Sequence, residues 1–172
     1  MIACAPAYGE TRVYLLRGWF GVFSTGLDGM AEELRKQGIQ AEAIGHVAWK
    51  STVAKVVTQR ASGQAGRLVL VGHSQGGNNI IDMARELQAH KVTVDLLITL
   101  SPYLQDPVPA NVARAVNYYQ AGGWGTPLTA DRGFTGELKN IDVGGDAGVF
   151  HINIDKNERV QAEVLKMIAA LR

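Results

Sequence analysis

The sequence predicts an α/β fold with a mostly parallel sheet, on three observations. Strand-like and helix-like periods alternate along all 172 residues, with no Pro/Ser-rich linker and no internal repeat. Two apolar runs, Arg67–Val71 (RLVLV) and Asp95–Leu100 (DLLITL), have the composition of strands buried on both faces of a parallel sheet. The length is that of one domain, and 47% apolar residues supply its core without a metal or disulfide staple. The expectation is a three-layer sandwich of about six strands with helices on both faces. Residues 1–172 form a single domain, in which 1–10 is a loose N-terminal segment.

The elements follow in order. Thr11 to Leu16 reads as a strand, then the Gly-rich loop Arg17-Gly18-Trp19-Phe20-Gly21, then a helix from Ser24 to Gln37. That helix places Leu27, Met30, Ala31 and Leu34 at i, i+3, i+4 and i+7, and Gly38 follows as its cap. Ile39 to Ile44 alternates as a short strand, and Ser51 to Ala61 is helical, with Val53, Val56 and Val57 on one side. The run at Arg67 is the central strand, Gln75 to Ala89 a helix, and Asp95 to Leu100 the next strand. Ala113 to Tyr119 and Glu137 to Val143 complete six strands. A last helix from Lys156 to Leu171 opens with Asp155 three residues before Glu158, in the manner of a capping box.

Composition excludes several function classes. Seventeen Lys and Arg against sixteen Asp and Glu leave a net charge of +1, with no basic footprint for nucleic acid or an anionic membrane. The single cysteine, Cys4, makes no internal disulfide, and no Cys/His spacing suggests a zinc site. The apolar runs are far shorter than a membrane span, and the first residues lack the basic and apolar regions of a signal peptide. The chain as given reads as cytoplasmic. Ala3-Cys4-Ala5 also reads as the remnant of a trimmed lipoprotein signal, which would place it in the periplasm or on a membrane surface.

Chemistry is concentrated at Gly72-His73-Ser74-Gln75-Gly76, a GxSxG sequence with Gly77 after it. A serine on a sharp strand-to-helix turn needs flanking glycines, because a Cβ there collides with neighbouring backbone. The segment LVLVGHSQGGNNIIDMA supplies the required strand before and helix after.

On these residues the chain resembles the α/β-hydrolase family in a small form without a cap domain, over most of its length from Arg12 onward. The resemblance implies Ser74 as nucleophile and His151, on the loop after the last strand, as the base that takes its proton and returns it to the leaving group. The acid has two candidates. Asp142 closes a strand nine residues before His151, as in cutinase-like arrangements, and is preferred because a strand end holds a carboxylate rigidly. Asp131 is the alternative, in the segment 120–136 after the preceding strand. Asp106 is a third choice, and Asp146 lies too close to His151.

The same resemblance implies an oxyanion hole from the backbone N–H of Gln75 and of the first loop, where Trp19 is the candidate and Phe20 the alternative. Trp19, Phe20 and Phe23 are candidates to line an acyl pocket. His73 reads as a packing or hydrogen-bonding residue pointing away from the serine, and with Phe20 it is carried as a substrate-binding candidate. His46 and His90 are poor bases by position. Ser101 to Val112, with Pro102, Pro107 and Pro109, is too short and stiff for a lid, so the site is expected to be open.

The expected activity is hydrolysis of a carboxylic ester, with thioester cleavage close behind, through an acyl-enzyme and without a metal or other cofactor. The partner is then a small-molecule ester or thioester. The rival reading is a non-catalytic hydrolase-like binding protein whose triad lacks its acid, and Ser101 stands where an acid could have stood. A dinucleotide site is disfavoured, since Gly18-Trp19-Phe20-Gly21 lacks the GxGxxG spacing.

Overall fold

A computed structural model describes residues 10–171 other than 20, 65 and 105. Cys4 and the rest of residues 1–9 of the N-terminal segment lie outside the described residues. The strands are β1 (Arg12–Arg17), β2 (Gln40–Gly45), β3 (Leu68–His73), β4 (Leu96–Leu100), β5 (Arg114–Tyr119) and β6 (Glu137–Asp142). The helices are α1 (Gly26–Lys36), α2 (Trp49–Ala61), α3 (Gln75–Ala89) and α4 (Glu158–Ala169). Short 3-10 turns stand at His46–Ala48 and Ile154–Lys156.

All six strands are parallel, in the order β2-β1-β3-β4-β5-β6. Alternation along β3 explains how two cores form. Val69 and Val71 join Val13, Leu15 and Ile98 beneath Leu27, Met30 and Leu34 of α1 and Val160, Val164 and Ile168 of α4. Leu68 and Leu70 face the other way, onto Val53 and Val56 of α2 and Ile80, Met83 and Leu87 of α3. β3 is therefore buried along its whole length, as its unbroken apolar run requires.

The chain leaves β1 toward one edge and returns to β3 to continue toward the other. The helices that follow β1 and β3 consequently lie on opposite faces, and a crevice opens where the direction reverses. The link from β4 to β5, residues 101–113, carries no helix among its described residues. No helix is long and apolar enough to cross a membrane among the described residues.

One local expectation is corrected. The cap of α4 is Asn157, whose side chain accepts from Val160 N–H. Asp155 instead turns to a different helix. Its Oδ2 accepts from Gly26 N–H at 2.8 Å, at the start of α1. Asn157 is one residue nearer the helix and reaches the free N–H groups of its first turn directly.

Candidate active site

Ser74 sits at the C-terminal end of β3, where the chain turns into α3, with φ 55 and ψ −124. For a non-glycine residue that conformation costs about 1–3 kcal/mol and persists only when its surroundings enforce it. Here they do. Ser74 N–H donates to Leu100 O and Ser74 O accepts from Gly77 N–H, each at 2.9 Å. A Cβ on Gly72 would stand 2.3 Å from Gly76 O, and one on Gly76 would stand 2.1 Å from Leu16 O. The turn closes this tightly only because both are glycine.

His151, on the loop after β6, reaches the serine. Its Nε2 lies 2.9 Å from Ser74 Oγ. Burial, and secondarily His73, lowers the imidazole to about 4, so it is neutral at pH 7. To accept from the Ser74 hydroxyl, Nε2 must be bare and Nδ1 must carry the proton.

Three loops converge through a chain of hydrogen bonds. The His151 carbonyl is 2.6 Å from His73 Nε2, which must donate, leaving Nδ1 to accept from Ser24 Oγ at 2.7 Å. Ser24 Oγ accepts in turn from Gly18 N–H at 3.0 Å. His73 is 1% exposed, and desolvation lowers its pKa, so the neutral form this pattern needs is the stable one. Substrate contact by His73 is thereby corrected. Both ring nitrogens are spent on Ser24 of the first loop and the carbonyl of His151, and the ring is buried. In the sequence Ser24 reads only as the start of a helix, because an isolated serine at a loop end gives no local signal of distant partners.

The acid does not come together as expected. Asp142 accepts from Ala121 N–H at 3.0 Å and Gly144 N–H at 2.8 Å, and these two donors hold its carboxyl below the usual range. It serves as a loop clamp. Asp131 pairs with Arg85, Asp146 with Arg159, and Asp106 accepts from Asn78 at 2.7 Å. None of the four is hydrogen-bonded to His151, whose Nδ1 is buried with no hydrogen-bond partner among the described residues. Gln120 was missed by the sequence reading. It follows β5 directly, at the start of the segment where the family resemblance places an acid, and its amide donates to Val149 O at 2.5 Å, two residues before His151. Ser101, the other acid-like position, is buried at φ 46, with no partner for its Oγ among the described residues.

Solved structures share this architecture. A structure from the metagenome-derived lipolytic enzymes LipS and LipT matches with TM-score 0.59 at 11% identity, covering 95% of each chain. The chain has the α/β-hydrolase fold. The NocB thioesterase domain from the nocardicin cluster matches this fold with TM-score 0.56 at 13% identity, over 96% of this chain and 95% of that one. A cutinase-like protein from Cryptococcus sp. matches with TM-score 0.54 at 13% identity, over 98% of this chain and 97% of the other. No family model and no curated sequence matches the chain.

Within the α/β-hydrolase frame, Gln75 opens α3, so its N–H has no acceptor inside the helix. Gly18 lies against the elbow, since a Cβ there would be 3.0 Å from Ser74 Cβ. Trp19 is the next residue along; Phe20 lies outside the described residues. A cleft of about 450 Å³ adjoins His151 and is lined by Gln120, Trp124, Val149, Phe150 and Ile152 among others. The Trp124 ring stands 5.0 Å from the imidazole, centroid to centroid.

Proposed function

We propose that this protein is a serine hydrolase that cleaves carboxylic esters through an acyl-enzyme. One observation carries the reading: a serine on a strained, glycine-locked turn with its Oγ 2.9 Å from the Nε2 of a neutral histidine, beside an open cleft. Ser74 attacks the acyl carbon as His151 Nε2 takes the hydroxyl proton. The tetrahedral oxyanion meets the N–H groups of Gln75 and Trp19. Collapse expels the alkoxide with the proton from His151, and water repeats the sequence in reverse roles.

The work is done by a Ser74–His151 pair in which no described carboxylate meets Nδ1. Where a triad loses its orienting acid, kcat falls by about 10⁴, so slow turnover is expected. The same unpartnered Nδ1 favours a second reading, a binding protein that keeps the elbow without the chemistry.

Intact-mass analysis after fluorophosphonate treatment separates the two. A single adduct on the wild type, absent from Ser74→Ala and strongly reduced in His151→Ala, is the outcome expected of the hydrolase. No adduct on the folded wild type would overturn it in favour of the binding protein.

A further inference from the structure

Nine large apolar side chains are exposed among the described residues, and all but Val47 stand on the four loops that surround Ser74. The prominent ones are Trp19 and Phe23 on 18–25, Tyr103 on 101–106, Trp124 on 120–126, and Phe150 and Ile152 on 148–153. Their rings link across the mouth: Trp19 lies 5.8 Å from Tyr103, and Tyr103 lies 6.0 Å from Trp124. An apolar patch held in water around one reactive atom has a cost, and a ligand that covers it removes the cost.

The loops are built to hold these side chains outward. Asn78 of α3 accepts from Tyr103 N–H at 2.8 Å and Leu104 N–H at 3.1 Å and donates to Leu104 O at 2.9 Å. Asn153 accepts from Phe150 N–H at 2.7 Å and donates to Gly148 O at 2.9 Å. With the backbone satisfied at both sites, neither loop gains hydrogen bonds by folding its apolar residues away from water.

Charge identifies the occupant. Residues 18–25, 120–126 and 148–153 contain no Asp, Glu, Lys or Arg, and in 101–106 the one charged residue, Asp106, is engaged by Asn78. A thioester on a phosphate-bearing carrier calls for cations at the mouth. These loops supply none. The mouth is also continuous with the cleft beside His151, so the ester bond of an apolar molecule seated on it would lie over Ser74.

Resting on the hydrolase reading for its chemistry, we infer that this ring is a docking surface for uncharged, water-insoluble esters. It takes the substrate from an apolar droplet surface, without enclosing single molecules.

The test is co-flotation of the full chain with a tributyrin emulsion, using Ser74→Ala so that binding is read without turnover. Flotation that is unchanged between low and high salt is expected, and a double variant of two exposed residues of the ring, Val22→Ser/Leu104→Ser, should lose it by about tenfold or more. Both substituted residues lie outside the cleft lining, so the fluorophosphonate adduct and hydrolysis of dissolved p-nitrophenyl acetate should be unchanged in that variant. A Ser74→Ala protein that stays in the aqueous phase overturns the inference. So does a dimer whose formation the double variant abolishes, since the ring would then be covered by a second copy. Flotation without a fluorophosphonate adduct on the wild type supports the surface and sinks the hydrolase reading; an adduct without flotation does the reverse.

Discussion

Asp155 and His151 stand four residues apart, and burial drives them in opposite directions on the pH scale. Asp155 is raised to about 6, chiefly by burial and against the pull of the Gly26 N–H, whereas His151 is lowered to about 4. Asp155, with its folded value above the unfolded one, contributes stability that is full below about pH 4 and lost as pH rises through 6. His151 has its folded value below the unfolded 6.5, so its contribution is present above that pH and lost as pH falls toward 4. His73, also lowered, acts in the same sense as His151. In the wild type the slope of Asp155 runs against those of the two histidines. Urea titrations across pH 4–6.5 should therefore show stability rising more steeply with pH than in the wild type in Asp155→Asn, and less steeply in His151→Ala. Parallel slopes in the two variants would contradict the assignment. On the proposed hydrolase reading, kcat/KM should rise with pH through about 4 and stay level above, because His151 is already neutral there.

At the scale of elements, the strand–elbow–helix unit was legible because one physical cause sets both residue type and spacing. LVLV demands burial, the two glycines demand backbone contact, and the helix spacing follows at once. The acid was not legible. Asp142 has the right chain position, but a carboxylate at a strand end is equally useful for tying down a turn, and only the fold reveals that Ala121 and Gly144 claim it. The capping pattern at Asp155 misled for a similar reason: its partner, Gly26, is 129 residues away. Glycines within the elements also differ in what they carry. Gly76→Ala forces a Cβ to within 2.1 Å of Leu16 O and should cost about 3 kcal/mol or more. Gly29, exposed in α1 with nothing within 4 Å of where a Cβ would stand, should gain about 0.5–1 kcal/mol on becoming alanine. Midpoint shifts of the same sign for the two variants would contradict this account.

For the whole molecule, the fold class, strand number and two-sided burial were readable from periodicity, and element ends differ from the expectation by a few residues at most. The sheet is wholly parallel where a mostly parallel one was expected. One strand joins both cores, with Val69 and Val71 in one and Leu68 and Leu70 in the other. The two faces should therefore unfold together. Leu70→Ala should cost about 2–5 kcal/mol, and fluorescence and far-UV circular dichroism should still trace one urea transition. Two separated transitions would mean that the faces fold independently.

Strand polarity has a further practical meaning. Because every strand runs the same way, the turn at residues 62–64, which leads from α2 toward β3, opens at the end of the sheet opposite Ser74. Its exposed Ser62 and Gly63 are thus a handle from which the protein can be immobilised on a bead or fused to a carrier, with the cleft beside Ser74 turned outward.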